Sequence, residues 1–135
     1  MVQRPDLYRA VVCHVPLLDM IRYHRFESGR TWIGEYGSAD KADQFEYLIR
    51  YSPYHNVKRA AYPSLLMLTA DSDDRVDPMH ARKFTAEIRH KLTNSPNVYV
   101  RVNAKAGHGG GDMVKKFVAK QTDVYAYLMN ELGMK

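Results

Sequence analysis

Two residues thirty-five positions apart have the types and surroundings of a catalytic pair, Asp73 and His108. Asp73 closely follows the apolar run 65–68, and His108 lies between Gly107 and Gly109 after a second strand-like run. In parallel α/β sheets, functional groups gather beyond the carboxyl ends of the strands. A carboxylate there can orient an imidazole, which then acts as a general base. The pattern predicts this pair.

Other interpretations of the same loops stay open. Asp71, Asp74 and Asp77 compete with Asp73, and all four acids are also suited to turns and helix caps. His108 by itself could be an ordinary loop histidine. The catalytic interpretation is favoured by the order along the chain: a strand, an acid, a helix, a second strand and a histidine between glycines. The remaining histidines show no metal-ligand spacing, so no metal and no cofactor are expected.

The elements that must position this pair follow from apolar periodicity. We predict strands at 10–15, 63–69 and 98–102, two helical turns at 19–26, and helices at 40–51, 78–92 and from Asp112 onward. The first strand is predicted to be buried on both faces, and the third to lie near a sheet edge. Asp40 or Asp43 is predicted to cap its helix. The apolar side of the last helix is predicted to comprise Val114, Phe117, Val118, Tyr125, Leu128 and Leu132, with Gly133 closing the helix.

Alternating strands and helices predict the α/β class, a mostly parallel sheet with helices on both faces. The 135 residues form one domain at most, with ordinary globular composition. The net charge is +5, but the basic residues are scattered, so neither nucleic acid nor a membrane is an expected partner. Cys13 is the sole cysteine and lies in an apolar run, which favours an inert thiol in a reducing, cytoplasmic setting.

A loop at 31–37 contains the sole tryptophan, Trp32, and Tyr36 four residues later. One interpretation is a hydrophobic plug over the sheet. The other is the wall of a ligand pocket, since pockets are lined by apolar and aromatic groups. The residues themselves do not decide between the two.

No nucleophile accompanies the predicted acid and base. The sequence has six serines and none lies in a Gly-x-Ser-x-Gly segment upstream of Asp73. The chain as given is therefore not expected to form an acyl-enzyme.

Five ungapped motifs in order, spread over essentially the whole chain, resemble the prolyl oligopeptidase family of serine peptidases. They are Gln3-Arg4-Pro5-Asp6-Leu7, Thr31-Trp32 through Tyr36-Gly37, Tyr51-Ser52-Pro53-Tyr54-His55-Asn56-Val57, Leu68-Thr69-Ala70-Asp71-Ser72-Asp73-Asp74-Arg75-Val76 and Lys105-Ala106-Gly107-His108-Gly109. The resemblance implies the α/β-hydrolase fold and cleavage of short peptides after proline.

The resemblance also implies a role for each matching residue. Asp73 is implied to be the triad acid and His108 the triad base. Arg75 resembles the arginine that binds a substrate carbonyl. The residues implied to line the proline pocket are Trp32, Tyr36, Val76 and Leu17. No acid pair is placed to bind a basic side chain, which favours proline specificity over another peptidase of the superfamily.

The departures from the family pattern set a further expectation. In the family, the serine elbow precedes the Gln-Arg-Pro-Asp motif, at which this chain starts. Residues 1–135 are therefore expected to be the C-terminal part of a catalytic domain, without the elbow serine, oxyanion hole or β-propeller. The expected partners are short proline-containing peptides and the N-terminal part of the enzyme. The alternative function is a non-catalytic module that self-associates or binds a complementary fragment.

Overall fold

The computed structural model describes residues 1–104 and 114–134. The strands in these ranges are β1 (Ala10–His14), β2 (Ser64–Ala70) and β3 (Val98–Asn103). The α-helices are α1 (Ile33–Tyr36), α2 (Ala42–Tyr51), α3 (Met79–Lys91) and α4 (Val114–Leu132). Short 3-10 helices span Pro5–Leu7, Tyr23–Arg25, Glu27–Trp32 and Tyr54–Asn56.

The three strands form one parallel sheet in the order β1-β2-β3. Val12 pairs with Leu66, and Leu66 pairs with Tyr99, so β2 is the central strand. Every residue of β2 is buried, which explains its nearly uninterrupted apolar sequence. The predicted neighbouring positions of the second and third strands are confirmed.

Helices cover both faces of the sheet, as predicted. Side chains alternate between the faces along a strand, so Leu65 and Met67 pack with Phe84 and Ile88 of α3. On the opposite face, the buried residues Leu66 and Leu68 pack with Val124 and Tyr127 of α4.

The predicted double burial of the first strand is wrong. All of β1 except His14 is half-buried, and His14 is exposed. The strand pairs with β2 on one side, and in residues 1–104 and 114–134 no strand pairs with its other side. An apolar run does not distinguish a central strand from a strand at this position.

The predicted apolar face of the last helix is confirmed for Leu128, which packs on the core, and is wrong for the other five residues. Val114, Phe117, Val118, Tyr125 and Leu132 are exposed, whereas Val124, Tyr127 and Glu131 are buried. Two polar contacts also join α4 to the rest of the chain. Arg9 Nε donates to the Glu131 carbonyl oxygen (3.1 Å) and Arg101 Nε donates to Asp123 (2.6 Å). Asp112 lies outside the described residues, and Gly133 ends the helix at a positive φ of 66°, as predicted.

Two local predictions need correction. The aromatic segment 31–37 is helical rather than a loop, because Glu27–Trp32 forms a 3-10 helix that continues into α1. Asp40 does not cap α2, whose cap residue is Lys41 without a side-chain cap bond. Asp40 instead pairs with Arg25 (2.8 Å) and His24 (3.1 Å).

In residues 1–104 and 114–134, no helix has the length and apolar character needed to cross a bilayer.

The central strand provides a direct test of the packing. Leu65 is fully buried, so Leu65→Ala should lower the free energy of unfolding by about 2–5 kcal/mol through lost contacts and the cavity left behind. Leu7→Ala is the matched control, because Leu7 is 61% exposed and its truncation should change stability by less than about 0.5 kcal/mol. Urea unfolding followed by circular dichroism measures both. Equal effects would contradict this packing.

Candidate active site

Asp73 lies in the loop that follows the carboxyl end of β2. Its side chain is 3% exposed, and its Oδ1 accepts hydrogen bonds from the backbone amides of Arg75 (3.0 Å) and Val76 (2.9 Å). Two amide donors to one carboxylate oxygen fix the orientation of the side chain. The loop therefore presents an oriented, buried carboxylate.

The other three acids of this loop differ from Asp73 in burial or in function. Asp71 and Asp74 are exposed. Asp77 Oδ1 accepts a hydrogen bond from the Met79 amide (2.7 Å), which places Asp77 in the turn that leads into α3. Among the four candidates, Asp73 is the buried one.

The predicted base, His108, falls in residues 105–113, outside the described residues. The described end of β3 lies beside the end of β2, because Ala70 pairs with Asn103. The Asp71 amide also donates to the Asn103 carbonyl oxygen (3.2 Å). The chain thus leaves β3 at the same sheet edge as the loop that contains Asp73.

Three of the predicted pocket residues share one aromatic cluster. Leu17, Trp32 and Tyr36 pack against the buried residues Met20, Tyr23 and Leu48. The Trp32 ring is nearly parallel to that of Tyr23 (15°, centroids 6.5 Å apart), and Tyr36 meets it edge-on (5.8 Å). Trp32 and Tyr36 remain half-exposed, so the cluster has one buried side and one side that solvent reaches.

Sequence reasoning missed Tyr23, the centre of this cluster. Tyr23 is 1% exposed and its hydroxyl donates a hydrogen bond to the Gly37 carbonyl oxygen. Burial raises the pKa of Tyr23 to about 12, so the hydroxyl stays protonated as a donor. Gly29 lies against the same residue, because a Cβ atom there would be 2.0 Å from the Tyr23 carbonyl oxygen.

A serine joins the aromatic cluster to the loop that contains Asp73. Ser28 Oγ donates to the Asp74 carbonyl oxygen (2.9 Å), which ties the 3-10 helix Glu27–Trp32 to that loop. Arg75 and Val76 lie on this loop, exposed and half-buried respectively. No sequence pattern indicated this contact, since Ser28 reads as an ordinary turn residue.

A buried polar network supports the segment that carries Leu17 and Tyr23. His80 and Asp19 are 2% and 1% exposed, and His80 Nδ1 accepts a hydrogen bond from the Asp19 amide (3.1 Å). Asp19 Oδ2 accepts from Lys83 Nζ (2.5 Å), and its Oδ1 accepts from the Arg22 amide (3.1 Å). These bonds attach the irregular segment after β1 to helix α3.

Ser52 and His55 extend the network but do not form a catalytic relay. Ser52 is fully buried, its Oγ accepts from the Met20 amide (3.0 Å), and it contacts His55 Nδ1 (2.8 Å). The nearest contact of His55 with Asp19 (3.8 Å) uses the same Nδ1 atom. A relay requires the serine and the carboxylate on opposite ring nitrogens, so this group is structural.

The parallel sheet covered on both faces, with a buried acid beyond the carboxyl end of β2, has the α/β-hydrolase arrangement. A profile of the prolyl oligopeptidase family matches residues 1–135. The chain belongs to the prolyl oligopeptidase family. This confirms the resemblance carried by the five motifs.

Relatives and solved structures agree with this assignment. The chain is 41% identical to the prolyl endopeptidase of Elizabethkingia meningoseptica over 137 residues, covering all of this chain and 19% of the relative. It is 37% identical to that of Dictyostelium discoideum, covering 98% of this chain and 18% of the relative. A chain from a structural study of two prolyl endopeptidases superposes with a TM-score of 0.96 at 54% identity, covering all of this chain and 20% of that one. The chain thus spans about a fifth of the length of these proteins.

The His80–Asp19 contact predicts a stability change with pH. Burial lowers the pKa of His80 from 6.5 to about 4, because the folded chain holds the ring neutral as an acceptor. Between these values the unfolded chain binds more protons, so stability is complete above about pH 6.5. It should fall by ~3 kcal/mol as the pH drops to about 4. Denaturant unfolding at several pH values measures this loss.

Two variants separate His80 from the other titrating groups. His80→Asn retains an acceptor near the Asp19 amide but does not titrate. It should therefore remove most of the dependence of the unfolding free energy on pH. His90→Asn, on the exposed side of the same helix, should leave the slope unchanged. An unchanged pH dependence of stability in His80→Asn would contradict the assignment of this effect to His80.

Proposed function

We propose that residues 1–135 form the part of a serine peptidase catalytic domain that carries the acid, the base and the wall of a proline pocket. The peptidase cleaves short peptides on the carboxyl side of proline. The observation that carries this proposal is Asp73, buried and held by two backbone amides beyond the central strand, in a loop tied through Ser28 to the segment of Trp32.

In the proposed reaction, His108 removes a proton from a serine hydroxyl as that oxygen attacks the peptide carbonyl. Asp73 accepts a hydrogen bond from the other imidazole nitrogen, which fixes the tautomer and stabilises the imidazolium. His108 then returns the proton to the leaving amine. Water then attacks the acyl-enzyme. His108 removes a proton from this water and returns it to the serine oxygen as the acid product leaves.

The serine of this reaction does not come from these 135 residues. Ser52 is fully buried in the polar network, and Ser28 binds the Asp74 carbonyl oxygen. No serine lies in a Gly-x-Ser-x-Gly segment. We therefore infer that activity requires a polypeptide that supplies this segment, and that the chain alone is inactive.

The proposed pocket selects proline by shape and apolar contact. Trp32 offers a flat indole for the pyrrolidine ring, with Tyr36, Leu17 and Val76 as further walls. Arg75 is exposed on the acid loop, where its guanidinium can donate to a substrate carbonyl. The residues of the cluster carry no carboxylate that would pair with a basic side chain.

Hydrolysis of a fluorogenic Gly-Pro peptide tests the proposal. The chain alone should be silent, and turnover should appear on adding the N-terminal part of the catalytic domain. Because the triad acts as a unit, His108→Ala should lower the restored kcat by about 10⁴-fold or more. Asp73→Asn should lower it by about 10⁴-fold through loss of the correct tautomer.

Asp74→Asn is the matched control, since Asp74 is an exposed acid of the same loop whose backbone carbonyl contacts Ser28. It should retain activity within a few-fold. Turnover by the chain alone that His108→Ala abolishes would refute the need for an outside serine. Full activity of the mixture containing Asp73→Asn would refute the role of Asp73.

A second assay addresses the pocket. Trp32→Ala should lower kcat/KM for the Gly-Pro peptide about tenfold or more, because it loses a stacking contact worth ~1 kcal/mol and the apolar area beneath it. Its effect on a Gly-Ala peptide should be much smaller, so selectivity for proline should collapse. Tyr8→Ala, at an exposed site away from the aromatic cluster, is the control. An unchanged proline preference would contradict the assignment.

A further inference from the structure

We propose that His24 and Asp40 are positioning residues for the aromatic side of the proposed pocket. By pairing, they join the two ends of the segment 24–40, which carries the aromatic wall, Trp32 and Tyr36. The proposal rests on the proposed function, because its consequence for the enzyme is selectivity for proline. Neither residue of the pair acts on the substrate directly.

The pair joins positions that are sixteen apart in the sequence. His24 Nε2 lies 3.1 Å from Asp40 Oδ2, and Arg25 donates to Oδ1 of the same carboxylate (2.8 Å). The contacts with Arg25 and His24 hold the pKa of Asp40 below its usual value, so the carboxylate is ionised and acts as an acceptor. His24 Nε2 therefore carries a proton. The ring is buried, where a donor without an acceptor is unfavourable, and this favours the closed pair.

The other ring nitrogen of His24 has no such contact. Among the residues that the structure describes, the buried Nδ1 atom has no hydrogen-bond partner. The polar contact of this ring thus runs through Nε2. This asymmetry supplies a matched pair of variants, because the amide nitrogen of glutamine can take the place of Nε2, whereas the shorter asparagine reaches only the place of Nδ1.

A chain of ring contacts leads from the pair to the aromatic wall. The His24 ring meets the Tyr23 ring edge-on, with centroids 5.5 Å apart. The Tyr23 ring in turn lies nearly parallel to that of Trp32 and edge-on to that of Tyr36. Stacked and edge-on arrangements are those in which aromatic rings attract. A shift of the His24 ring is therefore transmitted through Tyr23 to both side chains of the wall.

Two tyrosine hydroxyls hold the backbone at the end of α1. Tyr23 donates to the Gly37 carbonyl oxygen. Tyr47 donates to the Tyr36 carbonyl oxygen (2.9 Å). Gly37 has a φ of 90°, and a Cβ atom there would lie 1.9 Å from the Tyr47 hydroxyl, so this turn requires glycine. Tyr23 is thus held at its hydroxyl end by this turn and at its backbone end by the neighbouring His24.

Fluorescence of the chain alone tests the pair without any peptidase activity, because Trp32 is the sole tryptophan. His24→Asn should raise the acrylamide quenching of Trp32 about 1.5-fold or more, since a loosened segment exposes its side chains to solvent more often. His24→Gln, which keeps a donor at the place of Nε2, should retain the quenching of the unmodified chain. Far-ultraviolet circular dichroism should be unchanged in both variants.

Asp40→Ala removes the same contact from its exposed side. The Asp40 side chain is 58% exposed, so this change leaves the core intact. It should raise the quenching of Trp32 as His24→Asn does, and the double variant should go no further than Asp40→Ala, because both changes remove one interaction. Asp43→Ala, at an exposed acid three residues along, is the matched control. Unchanged quenching in His24→Asn and Asp40→Ala, or additive effects of the two, would overturn the proposal.

Peptide hydrolysis gives the second readout. With the N-terminal part of the catalytic domain added, His24→Asn should lower the ratio of kcat/KM for the Gly-Pro peptide to that for a Gly-Ala peptide at least about threefold, because a displaced wall contacts proline less well. His24→Gln should keep the ratio. Altered quenching of Trp32 with an unchanged ratio would refute the role in selectivity and leave the proposed function intact. Silence of every mixture, the unmodified chain included, would refute the proposed function, while the quenching of Trp32 still decides the role of the pair.

Discussion

The hydrogen bond from the Asp19 amide to the neutral ring of His80 is the contact on which the candidate pocket depends. Residues 15–38 contain little regular secondary structure beyond 3-10 turns, so few backbone ladders hold them. Their position relative to the sheet is set by side chains reaching from α3 and from Ser52. Apart from the half-buried Lys83, these residues are buried, where an unsatisfied polar group would cost about 1–3 kcal/mol. These polar contacts therefore fix the position of the aromatic cluster relative to the sheet.

The loop that follows β2 places its four aspartates in different environments. Asp73 is withdrawn from solvent because two successive amides converge on its Oδ1, whereas Asp77 turns to the start of α3. Asp71 and Asp74 remain in solvent. Burial thus follows from the path of the backbone rather than from any difference in chemistry. The same path presents the Asp74 carbonyl oxygen to Ser28.

The sheet, its strand neighbours and its covering helices were predictable because apolar periodicity and chain alternation are strong local signals. The family motifs supplied candidate site residues that no periodicity could have indicated. Tyr23, Ser28 and His80 were not predicted, since their roles depend on contacts between segments that are distant in sequence. The apolar face of α4 was misassigned, apart from Leu128, because apolar residues lie on more than one side of the helix and the sequence does not show which side meets the sheet. The helix packs through Val124, Tyr127 and Leu128. The other predicted residues, Val114, Phe117, Val118, Tyr125 and Leu132, remain exposed.

The placement of the aromatic cluster within the connection from β1 to β2 has a consequence for how the chain acquires it. Val12 pairs with Leu66, so closing this parallel ladder restricts a loop of more than fifty residues at once. The chain loses conformational entropy on closing this loop before the contacts between residues distant in sequence form and stabilise it. His80, which anchors the cluster, lies beyond β2 and adds a still longer closure. The surface that would recognise a substrate is therefore among the last parts of the chain to form, and a nascent chain released before α3 is complete would lack it.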